Sequence, residues 1–117
     1  MNLDRETLLS LILDAVPHPV VFVDTEHIIR YLNEPARRHY HEERGYEPLI
    51  GKSIFACHSE QSNMQIRQLV ERLHVTGEEI PLHADGRVER AFITPVLDGE
   101  GRLIGYFERF EALNGDG

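Results

Sequence analysis

The fold is decided by one central stretch, Gly51-Lys52-Ser53-Ile54-Phe55-Ala56-Cys57-His58-Ser59-Glu60-Gln61-Ser62. It contains a glycine turn, a short apolar piece, the only cysteine of the chain, a histidine and the start of a helix. Strand-rich sequence lies on both sides of it. The stretch is therefore either a ligand site or a well-capped corner, and the sequence around it has to decide between the two.

A long helix is indicated directly after this stretch. Ser62-Asn63-Met64-Gln65 has the S-x-x-Q form of a capping box, which predicts a helix with Ser62 as its N-cap. Apolar residues follow at the spacing of one buried helix face, and Gly77 ends the helix. This apolar stripe consists of Ile66, Leu69, Val70 and Leu73.

An N-terminal helix is predicted between Asp4, a suitable N-cap, and Pro17, which ends it. Leu3 and Leu11 widen its apolar surface beyond a single stripe. Such a helix either covers its own core or forms a self-association surface, and the residues leave both interpretations open. The apolar residues at helical spacing are Leu8, Leu9, Ile12, Leu13 and Val16.

Five short β-branched and aromatic runs predict strands. Residues 20–23 and 28–32 form the first hairpin, and Asn33 caps a short polar helix behind it that stops near Gly45. The other three runs are residues 79–83, 87–96 and 102–111, separated by turns at residues 85–86 and 98–101. Pro95 marks a bulge or an edge near the end of its strand.

This order of elements predicts an α+β fold, a five-stranded antiparallel sheet with its helices on one face and an N-terminal helix. We expect residues 1–17 to form the N-terminal helix, which dimerises or acts as a cap, and residues 18–113 to form the main domain. Residues 114–117 are expected to be a disordered tail. The central stretch then lies where the sheet meets the inserted helices, and a pocket is expected there.

The composition excludes several classes of partner. A net charge of −8 argues against nucleic acid, because binding to phosphates rests largely on Lys and Arg. A single cysteine excludes an internal disulfide and favours a reducing, cytoplasmic location. The start lacks the pattern of a secretory signal, and no apolar run approaches the ~20 residues of a membrane span. We therefore expect a cytoplasmic protein without membrane contact.

Catalysis is not expected. Ser53, Ser59 and Ser62 lack the Gly-x-Ser-x-Gly context of a nucleophile elbow. The aspartates of the predicted turns are explained by bonding to their own backbone, and the chain has no glycine-rich phosphate loop. We therefore predict that the protein is not an enzyme.

Four motifs, in this order along the chain, resemble those of a PAS domain, the small sensor module of bacterial signalling. Residues 14–24 resemble the entry into its first strand, and residues 28–36 resemble its second strand and first inserted helix. Ile50-Gly51-Lys52-Ser53 is similar to the Ile-Gly-Arg/Lys-Ser/Pro corner, and residues 98–105 are similar to the final hairpin. The resemblance covers residues 15–111 and implies a PAS fold with a sensing or interaction role.

Residues 57–62 resemble the Cys/Leu-His-Pro-x-Lys-Ser segment of one PAS subgroup, with Ser59 and Gln61 in place of the proline and lysine. That subgroup includes hemerythrin-associated PAS domains and the haem-containing regulators that sense carbon monoxide. The resemblance implies haem ligated by His58. The other axial ligand would fall near residues 81–83, where only His83 is able to ligate. The residues alone leave a second interpretation open, in which His58 and Ser62 merely cap the helix.

The predicted pocket is lined by side chains from several elements, most of which are plain core. Cys57 is either a reactive thiol or a small buried hydrophobe, and Tyr106 is expected to point its hydroxyl at a ligand. We expect the other histidines, His18, His27, His39, His41 and His74, on the surface. The candidate ligand-binding residues are His58, Phe55, Cys57, Met64, Leu69, Leu82, Phe92 and Tyr106.

The expected function is that of a stand-alone sensing domain. A small ligand would bind beside His58, with haem as the first ligand to try and gas or redox sensing as the role. We expect a homodimer formed by the N-terminal helix and a signalling partner protein that receives a ligand-dependent shift. The alternative is a ligand-free PAS dimerisation or adaptor module whose pocket is filled by its own side chains.

Overall fold

A computed structural model describes residues 3–43, 45, 48–57, 59–82 and 89–112. In this part of the chain five antiparallel strands form one sheet in the order β2-β1-β5-β4-β3. The predicted five-stranded antiparallel sheet and α+β class are confirmed. The strands are β1 Val21–Asp24, β2 Ile29–Leu32, β3 Ile80–Leu82, β4 Glu89–Leu97 and β5 Leu103–Ala112.

Three α-helices are described, α1 Arg5–Asp14, α2 Glu34–Arg37 and α3 Glu60–Thr76. A π-helical segment, Arg38–Glu43, continues α2, and a short 3₁₀ helix, Ile54–Cys57, precedes α3. The predicted caps of the first two helices are confirmed. The Asp4 carboxylate accepts from the Thr7 amide at 2.7 Å, and the Asn33 side chain accepts from the Ala36 amide at 3.0 Å.

The predicted start of α3 is wrong by one turn. Its N-cap is Ser59, which has an extended backbone and whose hydroxyl accepts from the Ser62 amide at 3.2 Å. Ser62 therefore lies in the first turn of the helix and is not its cap. Two serines three residues apart offer the same local signal, and the extended backbone of the earlier one decides between them. Gly77, at φ 65°, ends α3 as predicted.

The two faces of the sheet differ in what covers them. Strand alternation places Val23, Tyr106 and Ile93 on the face that α2 and α3 cover, here called the inner face. Phe22 and Phe107, which pair directly across β1 and β5, lie on the opposite, outer face. Side chains next to each other in sequence therefore have different surroundings.

The core lies between the inner face and the helices. Leu32 and Leu73 are at most 1% exposed, and Ala36 of α2 is completely buried. By contrast, no residue of α1 is buried. The inserted helices thus pack on one face as predicted, whereas α1 is attached to the domain without contributing to its core.

The hairpin between β4 and β5 is confirmed. The Asp98 carboxylate accepts from the amides of Glu100 and Arg102 at 2.8 and 2.9 Å, and Gly101 adopts φ 83°. Pro95 of β4 pairs with Tyr106 of β5, while β3 pairs only with residues 91–93 and stops short of it. The missing N–H of Pro95 is tolerated because no residue of β3 pairs with it on that side. The predicted turn at residues 85–86 and the tail at residues 114–117 lie outside the described residues.

Candidate functional site

The turn between β1 and β2 places a histidine against the inner face. Asp24 organises this turn, because its carboxylate accepts from the amides of Glu26 and Ile28 at 2.8 and 3.0 Å. The turn places His27 at φ 67°, a left-handed conformation that non-glycine residues adopt only occasionally. The His27 carbonyl accepts from the Ile54 amide at 2.9 Å, which fixes the 3₁₀ helix to the turn.

The His27 ring joins two of the predicted pocket residues. Its centroid lies 4.5 Å from that of Phe55 in the 3₁₀ helix. Its Nδ1 lies 3.4 Å from the hydroxyl oxygen of Tyr106, whose ring is 4% exposed on β5. The Arg67 guanidinium carbon, from α3, also lies close to Phe55, at 4.3 Å from the ring centroid. The turn, the 3₁₀ helix, α3 and β5 thus meet in one cluster, here called the junction cluster (His27, Phe55, Arg67 and Tyr106).

The environment of the junction cluster keeps its titratable rings neutral. Burial lowers the pKa of His27, and the positive charge of Arg67 lowers it further. Burial raises the pKa of the Tyr106 hydroxyl above its ordinary value, and the charge of Asp24 adds to the effect. At neutral pH the two rings therefore interact as a neutral imidazole and a phenol, with no ion pair between them.

His27 is not among the site residues predicted from the sequence, because a lone histidine in a polar turn is usually exposed. The prediction of a surface position is wrong, since the ring is partly buried between Phe55 and Tyr106. The available signal was its place at the end of a four-residue turn, where Asn, Asp and His are enriched at positive φ. That signal predicts a backbone conformation and gives no information about the ring contacts.

Other predicted site residues have mixed outcomes. Leu69 and Leu82 are partly buried and pack against the core from the inner side. Met64 is 60% exposed, so its prediction as part of the apolar interior is wrong. Two nearby residues of α3 face the domain: Asn63, whose Nδ2 donates to the Phe55 carbonyl at 3.1 Å, and the half-buried Ile66. The side chain of Met64 points to solvent from a different side of the helix.

Phe92 lies on the outer face, and its prediction as an inner pocket residue is also wrong. It neighbours Ile93, which is buried on the inner face, and adjacent strand residues point in opposite directions. Its ring instead lies under Arg109, whose guanidinium carbon is 4.4 Å from the ring centroid. The apolar character of both residues hid this alternation in the sequence.

The predicted iron ligands cannot be placed. His58 and His83 lie outside the described residues, as does the side chain of Cys57. The described neighbours of His58 are Ser59, the cap of α3, and the 3₁₀ helix that holds Phe55. Its role as a ligand stays a prediction.

A groove of about 500 Å³ lies on the outer face, beside the end of α1. The aromatic side chains of Phe22, Tyr31 and Phe107 form its floor, and Leu13 and Val16 line it from the side of α1. The Tyr31 hydroxyl is buried and has no hydrogen-bond partner among the described residues. The groove is therefore almost wholly apolar, with a volume typical of ligand or side-chain pockets.

An ion pair fixes the outer face near this groove. Arg109 donates to Glu79 through Nε at 2.8 Å and through Nη2 at 2.6 Å, and the Thr94 hydroxyl donates to the same carboxylate at 2.6 Å. The hydrogen bonds from Arg109 and Thr94 lower the pKa of Glu79 to about 2. These bonds connect β4, β5 and the residue before β3 on the side of the sheet that no inserted helix covers.

The described ranges lack two features, a metal cluster and a membrane-spanning helix. They contain no cluster of three or more His, Cys, Asp or Glu side chains arranged to hold a metal ion. None of the helices in these ranges is long and apolar enough to cross a bilayer.

Comparison with known proteins gives one family. The family model described as "PAS fold" matches residues 13–113. Among solved structures, a C-terminal domain from Streptococcus mutans is 16% identical with a TM-score of 0.74, covering 97% of this chain and 92% of that one. A PAS domain from Colwellia psychrerythraea is 18% identical, with a TM-score of 0.65 and coverages of 93% and 97%.

A third structure, a sensory box sensor histidine kinase from Vibrio cholerae, is 16% identical with a TM-score of 0.58, and the coverages are 91% and 89%. At these identities the likeness to solved structures concerns the fold. The comparison with curated proteins finds no match.

Proposed function

Since the chain belongs to the PAS fold family, we propose that it is a sensing and interaction module of signal transduction that works as a homodimer. The dimer forms through α1 and the groove on the outer face of the sheet. The junction cluster on the inner face is the part that responds to a signal. The similarity to a protein described as a sensory box sensor histidine kinase supports a role in signalling.

The observation that carries this proposal is the exposed apolar surface of α1. Leu9, Leu11 and Ile12 are each 51–53% exposed. Leu9 and Ile12 lie one turn before Leu13 and Val16, so the stripe that lines the groove continues along the helix into solvent. Contiguous apolar surface of this kind marks an interaction site in a soluble protein.

A second copy of the chain fits this surface better than an unrelated protein. The protruding stripe and the apolar groove lie next to each other, so a two-fold arrangement allows the stripe of each protomer to enter the groove of the other. Residues 7–13 include no charged side chain although the chain carries a net charge of −8. The apolar stripe therefore brings no charge into the contact, and the two charged residues that line the groove, Glu108 and Arg109, are of opposite sign.

The dimer is tested by adding charge to the stripe. In the Leu9→Glu, Ile12→Glu variant we expect a monomer by light scattering, because two carboxylates would have to be buried unpaired. Val75→Glu is the matched control, since Val75 of α3 is 82% exposed and apolar. A dimer that persists in the double variant, or a monomeric unsubstituted protein, would reject this interface.

Small-ligand sensing at the junction cluster is the second candidate function. The 3₁₀ helix that leads to residue 58 contacts His27, and His27 in turn contacts Tyr106 of β5. A ligand bound beside Phe55 would displace these contacts and act directly on the last strand. The ligand-dependent shift would thus reach β5, which pairs with β1 and forms part of the groove.

Haem is the ligand to try first, on the resemblance of residues 57–62. The described residues do not themselves show a fit for it. The ring of His27 already packs against Phe55 and contacts Tyr106, and His58 and His83 lie outside the described residues. We therefore assign no step to haem.

The haem prediction has a direct test. The protein is purified with haem supplied, and the visible spectrum is recorded for the unsubstituted protein and for His58→Ala. His74→Ala is the control, because His74 is an exposed histidine of α3. A Soret band that is lost only in His58→Ala supports ligation by His58. Absence of the band, or an unchanged band in His58→Ala, rejects it.

A further inference from the structure

We propose that the direction of α1, and with it the dimer surface, is set by a polar joint between the end of α1 and the start of α2. The polar joint consists of the side chains of Asn33 and Asp14 and the backbone groups that they bind. This inference rests on the proposed homodimer for its function. The polar joint would hold the dimer surface in place and connect it to α2.

Asn33 forms the buried half of the polar joint. Its side chain is fully buried, and its Oδ1 accepts from the amides of Val20 and Ala36 at 2.8 and 3.0 Å. Its Nδ2 donates to the carbonyls of Leu13 and His18 at 2.9 and 3.1 Å. All four hydrogen-bonding positions of the amide are used. One side chain therefore connects the last turn of α1, the entry into β1 and the first turn of α2.

Asp14 forms the outer half of the polar joint. Its Oδ1 accepts from the Glu34 amide at 2.8 Å, at the N-terminus of α2, where a carboxylate interacts favourably with unpaired N–H groups. The same oxygen lies 3.8 Å from Nη2 of Arg37. The last residue of α1 is thus attached to the first and last residues of α2.

The polar joint is the main directional attachment of α1 to the rest of the described chain. The helix contributes no fully buried side chain, and its half-buried Leu13 lines an open groove, so apolar packing within the protomer restricts its direction only weakly. Hydrogen bonds are directional, and those of Asn33 run from a completely buried position beside Ala36. A displacement of α2 on the inner face is therefore passed to α1 and changes the orientation of the apolar stripe that meets the second copy.

Two substitutions loosen the polar joint in different ways. Asn33→Asp keeps the shape and the Oδ1 acceptor but replaces the donors to Leu13 and His18 with a second acceptor. Asp14→Ala removes the bond to Glu34 and the contact with Arg37 at a partly exposed position. Asp98→Ala is the control, since it removes a carboxylate that also accepts from two backbone amides, but in the β4–β5 turn.

The direction of α1 is measured by distances between spin labels on the full chain. The labels are attached through Glu6→Cys in α1 and Gln68→Cys in α3 in a Cys57→Ser background, and labelled protein is diluted in unlabelled protein so that only distances within a chain are seen. Both joint variants should broaden the distance distribution about twofold, because the hydrogen bonds that they remove from the polar joint no longer restrict the direction of α1. Asp98→Ala should leave it unchanged.

An unchanged distribution in Asp14→Ala and in a folded Asn33→Asp overturns the proposal. If circular dichroism shows that Asn33→Asp does not fold, Asp14→Ala decides alone, and an unchanged width in that variant overturns the proposal. Failure of the proposed dimer would be seen separately, as a monomeric mass of the unsubstituted protein in light scattering. The distances within one chain test the polar joint in either case.

Discussion

Both faces of the sheet carry large apolar side chains, but among the described residues only the inner face is covered by inserted helices. On the inner face Leu32 and Leu73 are at most 1% exposed, and helices cover the strands. On the outer face Phe22 and Phe107 line an open groove. The difference teaches that apolar residues in alternate positions of one strand have different surroundings: one set forms the core, and the other lines the groove that we propose for association.

The polar groups follow the same division. The inner face holds His27 and Tyr106 as neutral partners, since burial lowers the pKa of the first and raises that of the second. The outer face holds the charged pair Glu79 and Arg109, about one-third exposed. Interior positions favour neutral groups and surface positions tolerate charge, so the two polar clusters are matched to their faces.

The largest effect is expected from shortening a core side chain on the inner side. Leu73→Ala should lower the free energy of unfolding by about 2–5 kcal/mol, because it leaves a cavity at a fully buried position. Leu9→Ala on α1 should change it by no more than about 0.5 kcal/mol in monomeric protein. Urea denaturation of both variants checks this, and equal losses would contradict the division between the faces.

A smaller loss of stability is expected from a substitution at Gly105 of β5, where the strand lies close to Phe22 of β1. A Cβ at Gly105 would lie 2.3 Å from the Phe22 ring and 2.4 Å from the Val23 carbonyl oxygen. Because backbone has to move, Gly105→Ala should cost about 1–3 kcal/mol of unfolding free energy, measured by thermal or urea denaturation. Gly99→Ala is the control, since a Cβ there meets open space. A Gly105→Ala protein as stable as Gly99→Ala would refute the close packing of Phe22.

The ion pair on the outer face should contribute less and depend on pH. Glu79 has a pKa of about 2 in the fold against an ordinary value of 4.5, so its contribution is present above pH 4.5 and is lost as the pH falls towards 2. Glu79→Gln should cost about 1–2 kcal/mol at pH 7, a discounted figure because both partners are partly exposed. Urea denaturation at pH 7 and pH 3 should give a smaller difference at pH 3. A difference that does not shrink would argue against the low pKa.

The smallest effect concerns His27. Its pKa is lowered in the fold, so its contribution to stability is present above the ordinary pKa of 6.5 and is lost as the pH falls below it. An NMR titration, with the signal assigned by its absence in His27→Asn, should give a pKa below 6.5. Asn is chosen because it tolerates the positive φ of this position. A pKa at or above 6.5 would place the ring in solvent and remove the junction cluster.

Much of the fold could be predicted because its signals are local. Asp4 and Asn33 cap helices with bonds to amides three residues away, and Asp98 with Gly101 forms a hairpin turn from adjacent residues. Such bonds depend on short stretches of chain, so the sequence pattern contains them. The predicted N-cap of α3, Ser62, is wrong because Ser59 and Ser62 are both suitable cap residues. Only the path of the preceding chain identifies Ser59 as the cap.

The site was less predictable because its contacts join distant residues. His27 and Tyr106 are 79 positions apart, and their contact depends on β1 and β5 lying side by side. The positions of Phe92 and Met64 were wrong because each is apolar, and apolar character alone does not say which face of a strand or helix a residue occupies. Hydrophobicity favours burial, but it does not specify which side of an element is buried or what covers it.

The sequence by itself determined the strands, the caps of α1 and α2 and the turn at Asp98, since each follows from backbone preference and periodicity over a few residues. The order of these elements predicted an antiparallel sheet with inserted helices. Only the tertiary structure decided that α1 stays outside the core, that a groove opens beside Phe107, and that Asn33 ties α1 to α2. These features depend on the packing of segments far apart in the chain. The central stretch lies between the sheet and α3 as predicted, and the residue that connects it to the sheet is His27, from a turn that precedes it.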